Sequence, residues 1–86
     1  MTETDRIYLI NLPPDAYQTM RQCVPRESPA WASVDSAMTE SDGSLSFDCT
    51  AEEITAIIKD LDRQAGGGPV IAELIRQKSS QDQRGR

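Results

Sequence analysis

Apolar residues in this chain gather in clusters separated by Pro, Gly and charged runs, and the spacing inside each cluster predicts its element. RIYLINL (residues 6–12) is rich in β-branched and aromatic residues and nearly continuous in apolar character, which predicts a first strand. Alternation puts Ile7 and Leu9 on one side and Tyr8, Ile10 and Leu12 on the other. Both sides want cover, and in so short a chain the second must be covered by a helix, a long loop or another copy of the chain. Pro14 and Asp15 then suit a helix's first turn, with Ala16, Tyr17, Met20, Cys23 and Val24 sharing one face. Pro25 disfavours helical geometry at Val24 and predicts the end of that helix.

Residues 29–39 admit two readings. Ser28 and Pro29 could cap and open a helix that brings Trp31, Val34 and Met38 to one side. Asp42-Gly43 instead stands between Ala32, Val34, Met38 and Leu45, Phe47, Cys49, sets spaced in twos, which is a hairpin signal. The hairpin is the preferred reading, and Leu45, Phe47 and Cys49 face the core in either.

Thr50 followed by Glu53 is a capping box, and Ile54, Ile57, Ile58 and Leu61 behind it form an apolar stripe about 100° wide, so a helix starts at this point. QAGGGP closes it, one glycine taking the left-handed conformation and Pro69 opening a last helix whose stripe is Val70, Ile71, Leu74 and Ile75. These two helices are expected to pair antiparallel. No apolar residue follows Ile75, which predicts a disordered polar tail over residues 79–86. The expected fold is a single α+β domain over residues 1–78, in the order β-α-β-β-α-α, with a short sheet covered by helices on one face.

Composition narrows the function more than it names it. With 37% hydrophobic and 27% charged residues the chain has the balance of a folded soluble domain. No apolar run approaches the roughly 18 residues needed to cross a bilayer, and MTETDRIYLI lacks the features of a secretory leader, so a cytoplasmic location is expected. Cys23 and Cys49, without CxxC spacing, fit reduced thiols better than a disulfide.

The 86 residues include no histidine, which removes the commonest general base near neutral pH, the commonest metal ligand, and every Ser-His or Cys-His nucleophile pair within one chain. No cofactor or metal is expected. Gly66-Gly67-Gly68 before a helix invites a phosphate-loop reading, but no strand precedes it and PVIAEL follows in place of Lys-Ser/Thr, so an interhelical turn is preferred. The chain is accordingly expected not to be an enzyme.

The net charge of −5 is unevenly spread. Residues 1–26 hold three acids and three arginines, residues 27–62 hold nine acids and only Lys59, and residues 63–86 hold five bases and two acids. So acidic a middle repels nucleic-acid backbone and attracts a basic protein surface. The leading expectation is a binding module, an inhibitor or adaptor that uses Asp35, Glu40, Asp42, Asp48, Asp60 and Asp62 to dock on the nucleic-acid-binding surface of a larger protein or complex. In size and acidity the chain is similar to anti-CRISPR proteins and other phage-encoded DNA mimics, a likeness that covers no motif.

Trp31 is expected to anchor the hairpin to a helix, or if exposed to serve as an interface anchor. Two alternatives stand beside the leading one. The first is a regulatory or structural subunit that homodimerises through an uncovered strand face of Tyr8, Ile10 and Leu12. The second is an antitoxin-like regulator whose basic end, Arg76, Lys78, Arg84 and Arg86, touches nucleic acid.

Overall fold

The computed structural model describes residues 6–64 and 66–84, without the side chain of Arg84. Strand β1 (Ile7–Leu12) leads directly into helix α1 (Pro14–Cys23), followed by a short helix α2 (Trp31–Asp35) and strands β2 (Met38–Thr39) and β3 (Leu45–Thr50). Helices α3 (Ala51–Asp62) and α4 (Gly68–Arg84) complete the chain. The sheet is antiparallel with strand order β1-β3-β2. The fold is the α+β arrangement expected, in the expected order, with α2 added inside the stretch that stood between helix and strand.

Both readings of residues 29–39 hold in part. The Ser28 hydroxyl accepts from the Ala30 amide and its carbonyl from the Trp31 amide, which starts α2, but the helix lasts only five residues. The chain then straightens for Met38 and Thr39, which pair with Ser46 and Leu45. Gly43 takes φ +90°, the conformation for which glycine is suited, and the Glu40 and Ser44 backbones close the hairpin at 2.7 Å.

The core lies between one face of the sheet and α1, α3 and α4. Tyr8, Ile10 and Leu12 of β1 meet Phe47 and Cys49 of β3 across the ladder, and above them pack Tyr17 and Met20, Ile54, Ile57 and Leu61, Val70 and Leu74, all buried. Hence Tyr8, Ile10 and Leu12 cannot serve as a dimer face as the sequence reading allowed: alternation in β1 was read correctly, but the helices cover this set and leave Ile7 and Leu9 outside. The Thr50 capping box is present in full, Glu53 accepting from the Thr50 amide at 2.7 Å and donating its own amide to the Thr50 hydroxyl at 3.2 Å. Glu53 also accepts from the Ser33 hydroxyl at 2.8 Å, which ties α2 to the start of α3.

Trp31 is half-buried at the start of α2 rather than in a strand. The Arg21 guanidinium lies 5.1 Å from its ring centroid, pairs with Asp35 at 3.0 Å and donates to the Tyr17 hydroxyl, which in turn donates to the Val34 carbonyl at 2.7 Å. These contacts hold α2 against α1 and account for Trp31 as a packing residue.

The disordered tail expected from residue 79 is corrected: α4 continues to Arg84, and residues 85 and 86 lie outside the described chain. No described side chain of α4 beyond Leu74 is buried, Ile75 included, so apolar periodicity carries no sign of the extension. Polar side chains hold it. Gln77 and Gln81 bond to the backbone of β1, and Asp82 accepts from the Tyr8 hydroxyl at 2.5 Å while pairing with Arg6 and Lys78.

Candidate partner-binding face

Among the described residues no helix covers the sheet's second face, although α2 borders it beyond Met38. Its outward positions are Ile7, Leu9 and Asn11 on β1, Ser46, Asp48 and Thr50 on β3, and Met38 on β2. Ile7 and Leu9 are each 57% exposed and Met38 71%, which makes this face the main site of large apolar side chains left in water. Leu9 stands directly opposite Asp48, and the Leu9 backbone is bonded to Gln81 rather than to β3, so the two side chains form a close, non-hydrogen-bonded cross-strand pair.

Two further carboxylates reach this face through serines. Glu40 accepts from the Ser46 hydroxyl at 2.9 Å, which places it beside Met38. Asp42 accepts from both the amide and the hydroxyl of Ser44, at 3.0 and 2.6 Å, and Ser44 accepts from the Asn11 side-chain amide at 2.9 Å. Those two bonds from Ser44 hold the Asp42 carboxyl below the ordinary Asp range. A groove of about 470 Å³ runs beside Leu9, lined by Ala32, Ser33, Ser36, Met38 and Asp48, where β2 gives way to α2. On the other flank of Leu9 a smaller groove of about 290 Å³ is lined by Arg76, Gln77 and Gln81.

Of the six acidic residues singled out in the sequence, the fold gathers three, Glu40, Asp42 and Asp48. Asp35 is not available in the same way, because Arg21 already pairs with it. Asp60 and Asp62 sit at the end of α3, Asp60 against Lys59, Arg63 and Glu27 in a separate shallow depression. Leu9, Ile7 and Met38 were missed as surface residues. The sequence signal for the first two is their alternation in β1 with Tyr8, Ile10 and Leu12.

Ion pairing sharpens the charge asymmetry. Among the described residues Arg6, Arg21, Arg76 and Lys78 are engaged, with Asp82, Asp35, Glu73 and Asp82, so only one carboxylate of residues 27–62 is neutralised. No lysine or arginine belongs to β1, β2 or β3, and Arg76, the cation lining the smaller groove, is held by Glu73. Within the same described residues no cluster of three metal-ligating side chains occurs, and no helix is long and apolar enough to cross a membrane. Gly66 adopts φ +90° after α3, and a side chain on Gly67 would stand 2.5 Å from the Leu61 carbonyl oxygen, so these glycines are accounted for by the turn. Both cysteines are free; burial, then the charges of Glu53 and Asp48, push the Cys49 thiol up to about 12.

Comparison with protein-family models, with curated proteins and with solved structures gave no match to this chain.

Proposed function

We propose that this chain is a non-enzymatic protein-binding module, an inhibitor or adaptor whose uncovered sheet face docks on a cationic surface of a larger protein. The observation that carries the reading is the company Leu9 and Met38 keep: exposed apolar side chains set among Glu40, Asp42 and Asp48, none of them in an ion pair among the described residues. Apolar contact supplies affinity at such a face, and the carboxylates select a basic partner and speed its approach. Competition with nucleic acid for that partner is the inhibitory mode this charge favours.

Stacked face on face against a second copy, the sheet is poorly suited to a two-fold dimer, because the Asp48 carboxylate beside Leu9 would be pressed toward its own copy. Nucleic-acid binding through the basic end is disfavoured too, since Arg76 and Lys78 are already paired with Glu73 and Asp82. Arg84's side chain and Arg86 lie outside the described residues.

The test is affinity capture from host lysate, nuclease-treated, at low and high salt, with three baits: wild type, E40K/D48K and D60K/D62K. The expected result is a salt-sensitive basic partner held by wild type and D60K/D62K and lost by a folded E40K/D48K. Equal capture by all three would overturn the assignment of the face.

A further inference from the structure

β1 is an edge strand, with β3 on one side only. An exposed strand edge of this kind is a template for pairing with another strand. Here the edge is occupied, but by side chains. The Gln77 side-chain amide accepts from the Asn11 amide at 2.9 Å and donates to the Asn11 carbonyl at 2.6 Å. The Gln81 amide does the same for Leu9, at 2.8 and 2.7 Å. Four residues of helix rise by about 6 Å and two residues of strand by about 6.8 Å, so glutamines spaced i, i+4 can match alternate residues of an extended strand. Each glutamine thus presents one donor and one acceptor where a neighbouring strand would present its own.

We infer that residues 75–84 of α4 are a strap that withholds the β1 edge, and that releasing it opens a strand-pairing surface whose occupant is β1 of a second copy. The strap is separable from the fold: none of its described residues is buried, and its ties are the Gln77 and Gln81 amides, the Asp82 cluster with Arg6, Tyr8 and Lys78, the Arg6 bond to the Gln81 carbonyl and the Lys78 ammonium over the Tyr8 ring. The choice of occupant follows from the strand itself. IYLINL carries no charge that would select a charged partner. Paired antiparallel about Leu9, two copies place Leu9 against Leu9 and Ile7 against Asn11, which satisfies the same outward backbone groups and joins the two exposed apolar rows. This surface is the strand edge and not the buried Tyr8, Ile10, Leu12 face, and it stands independently of the partner proposed above.

Amide exchange by NMR tests the inference on the full-length chain. In Q77A/Q81A, which keeps the Asp82 contacts, the Leu9 and Asn11 amides should exchange roughly tenfold faster or more, while those of Tyr8 and Ile10, directed at β3, keep their protection. Q77A/Q81A/D82A keeps only the Arg6 bond to the Gln81 carbonyl and the Lys78 contact with the Tyr8 ring, too little to hold the strap on the edge. Sedimentation equilibrium should then detect a dimer below about 1 mM, the range of weak association, with Leu9 and Asn11 protected again as dimer forms. Wild type should remain monomeric under the same conditions. Unchanged exchange in the double variant, or a triple variant that stays monomeric with a folded core, would overturn it.

Discussion

Glu53 illustrates how a carboxylate in an acidic segment can belong to the fold and not to a partner. One of its oxygens accepts from the Thr50 amide at 2.7 Å, the other from the Ser33 hydroxyl at 2.8 Å, and its charge sits in the first turn of α3. Loss of a cap costs about 0.5–2 kcal/mol. A lost hydrogen bond to Ser33 adds about 1 kcal/mol, and the helix dipole a few tenths more. Glu53→Ala should therefore destabilise the protein by about 2–3 kcal/mol, which for a domain of this size lowers Tm by roughly 10–20 °C. Glu53→Gln, which keeps an acceptor for the capping box, should cost less than about 1 kcal/mol. Ser33→Ala should cost about 1 kcal/mol alone and almost nothing in the Glu53→Ala background, because its partner is already gone. Urea unfolding of the four variants of that cycle measures each value. A Glu53→Ala protein within about 0.5 kcal/mol of wild type, the range of an ordinary surface substitution, would refute the reasoning.

Three further outcomes are expected. The Tyr8 hydroxyl, then Lys78 and Arg6, hold the Asp82 carboxyl below its ordinary value of 3.8, so its contribution is present above that pH and lost as pH falls through the lower folded value; the stability gap between wild type and Asp82→Asn, measured by urea unfolding, should narrow on acidification, and a gap independent of pH would count against the cluster. Cys49 is buried with its thiol pushed up to about 12, so a thiol reagent near pH 8 should modify half-buried Cys23 in the folded protein and reach Cys49 only on unfolding, with stability falling as pH rises from 9.0 toward 12; fast labelling of both cysteines would contradict the burial. Gly67→Ala should cost about 1–3 kcal/mol because its Cβ meets the Leu61 backbone, whereas Gly68→Ala, with open space around it, should be neutral or stabilise α4 by up to about 1 kcal/mol; equal effects in thermal melts would refute the distinction.

Local signals in the sequence carried most of the fold. The capping box and apolar stripe of α3, the prolines flanking α1 and the Asp42-Gly43 turn are all interactions between residues close in the chain, and each stands where it was expected. What failed were contacts between distant residues. Alternation in β1 separated its two sets of side chains correctly but could not say which set the helices cover. The extension of α4 rests on Gln77 and Gln81 meeting Asn11 and Leu9, partners more than sixty residues away, and a run of polar side chains looks the same whether it hydrogen-bonds to a strand or to water. The candidate face was legible to a similar degree: Glu40, Asp42 and Asp48 were visible as acids, while their separation from Asp60 and Asp62 needed the fold.

That separation gives the acidity its meaning. Charge along a segment affects solubility and approach at long range, but discrimination between partners needs charges fixed in position beside something that can be desolvated. Asp60 and Asp62 end a helix near Lys59 and Arg63, where the dipole disfavours them and the nearby bases offset part of the cost. Glu40 and Asp42 are fixed by hydrogen bonds from Ser46 and Ser44, and beside them Asp48 stands opposite Leu9 in the ladder. A carboxylate held in place loses less side-chain entropy when it meets a cation than one that must first be ordered. The face of β1 and β3 therefore has what the end of α3 lacks: two carboxylates, Glu40 and Asp42, held by hydrogen bonds beside apolar side chains that a partner can cover.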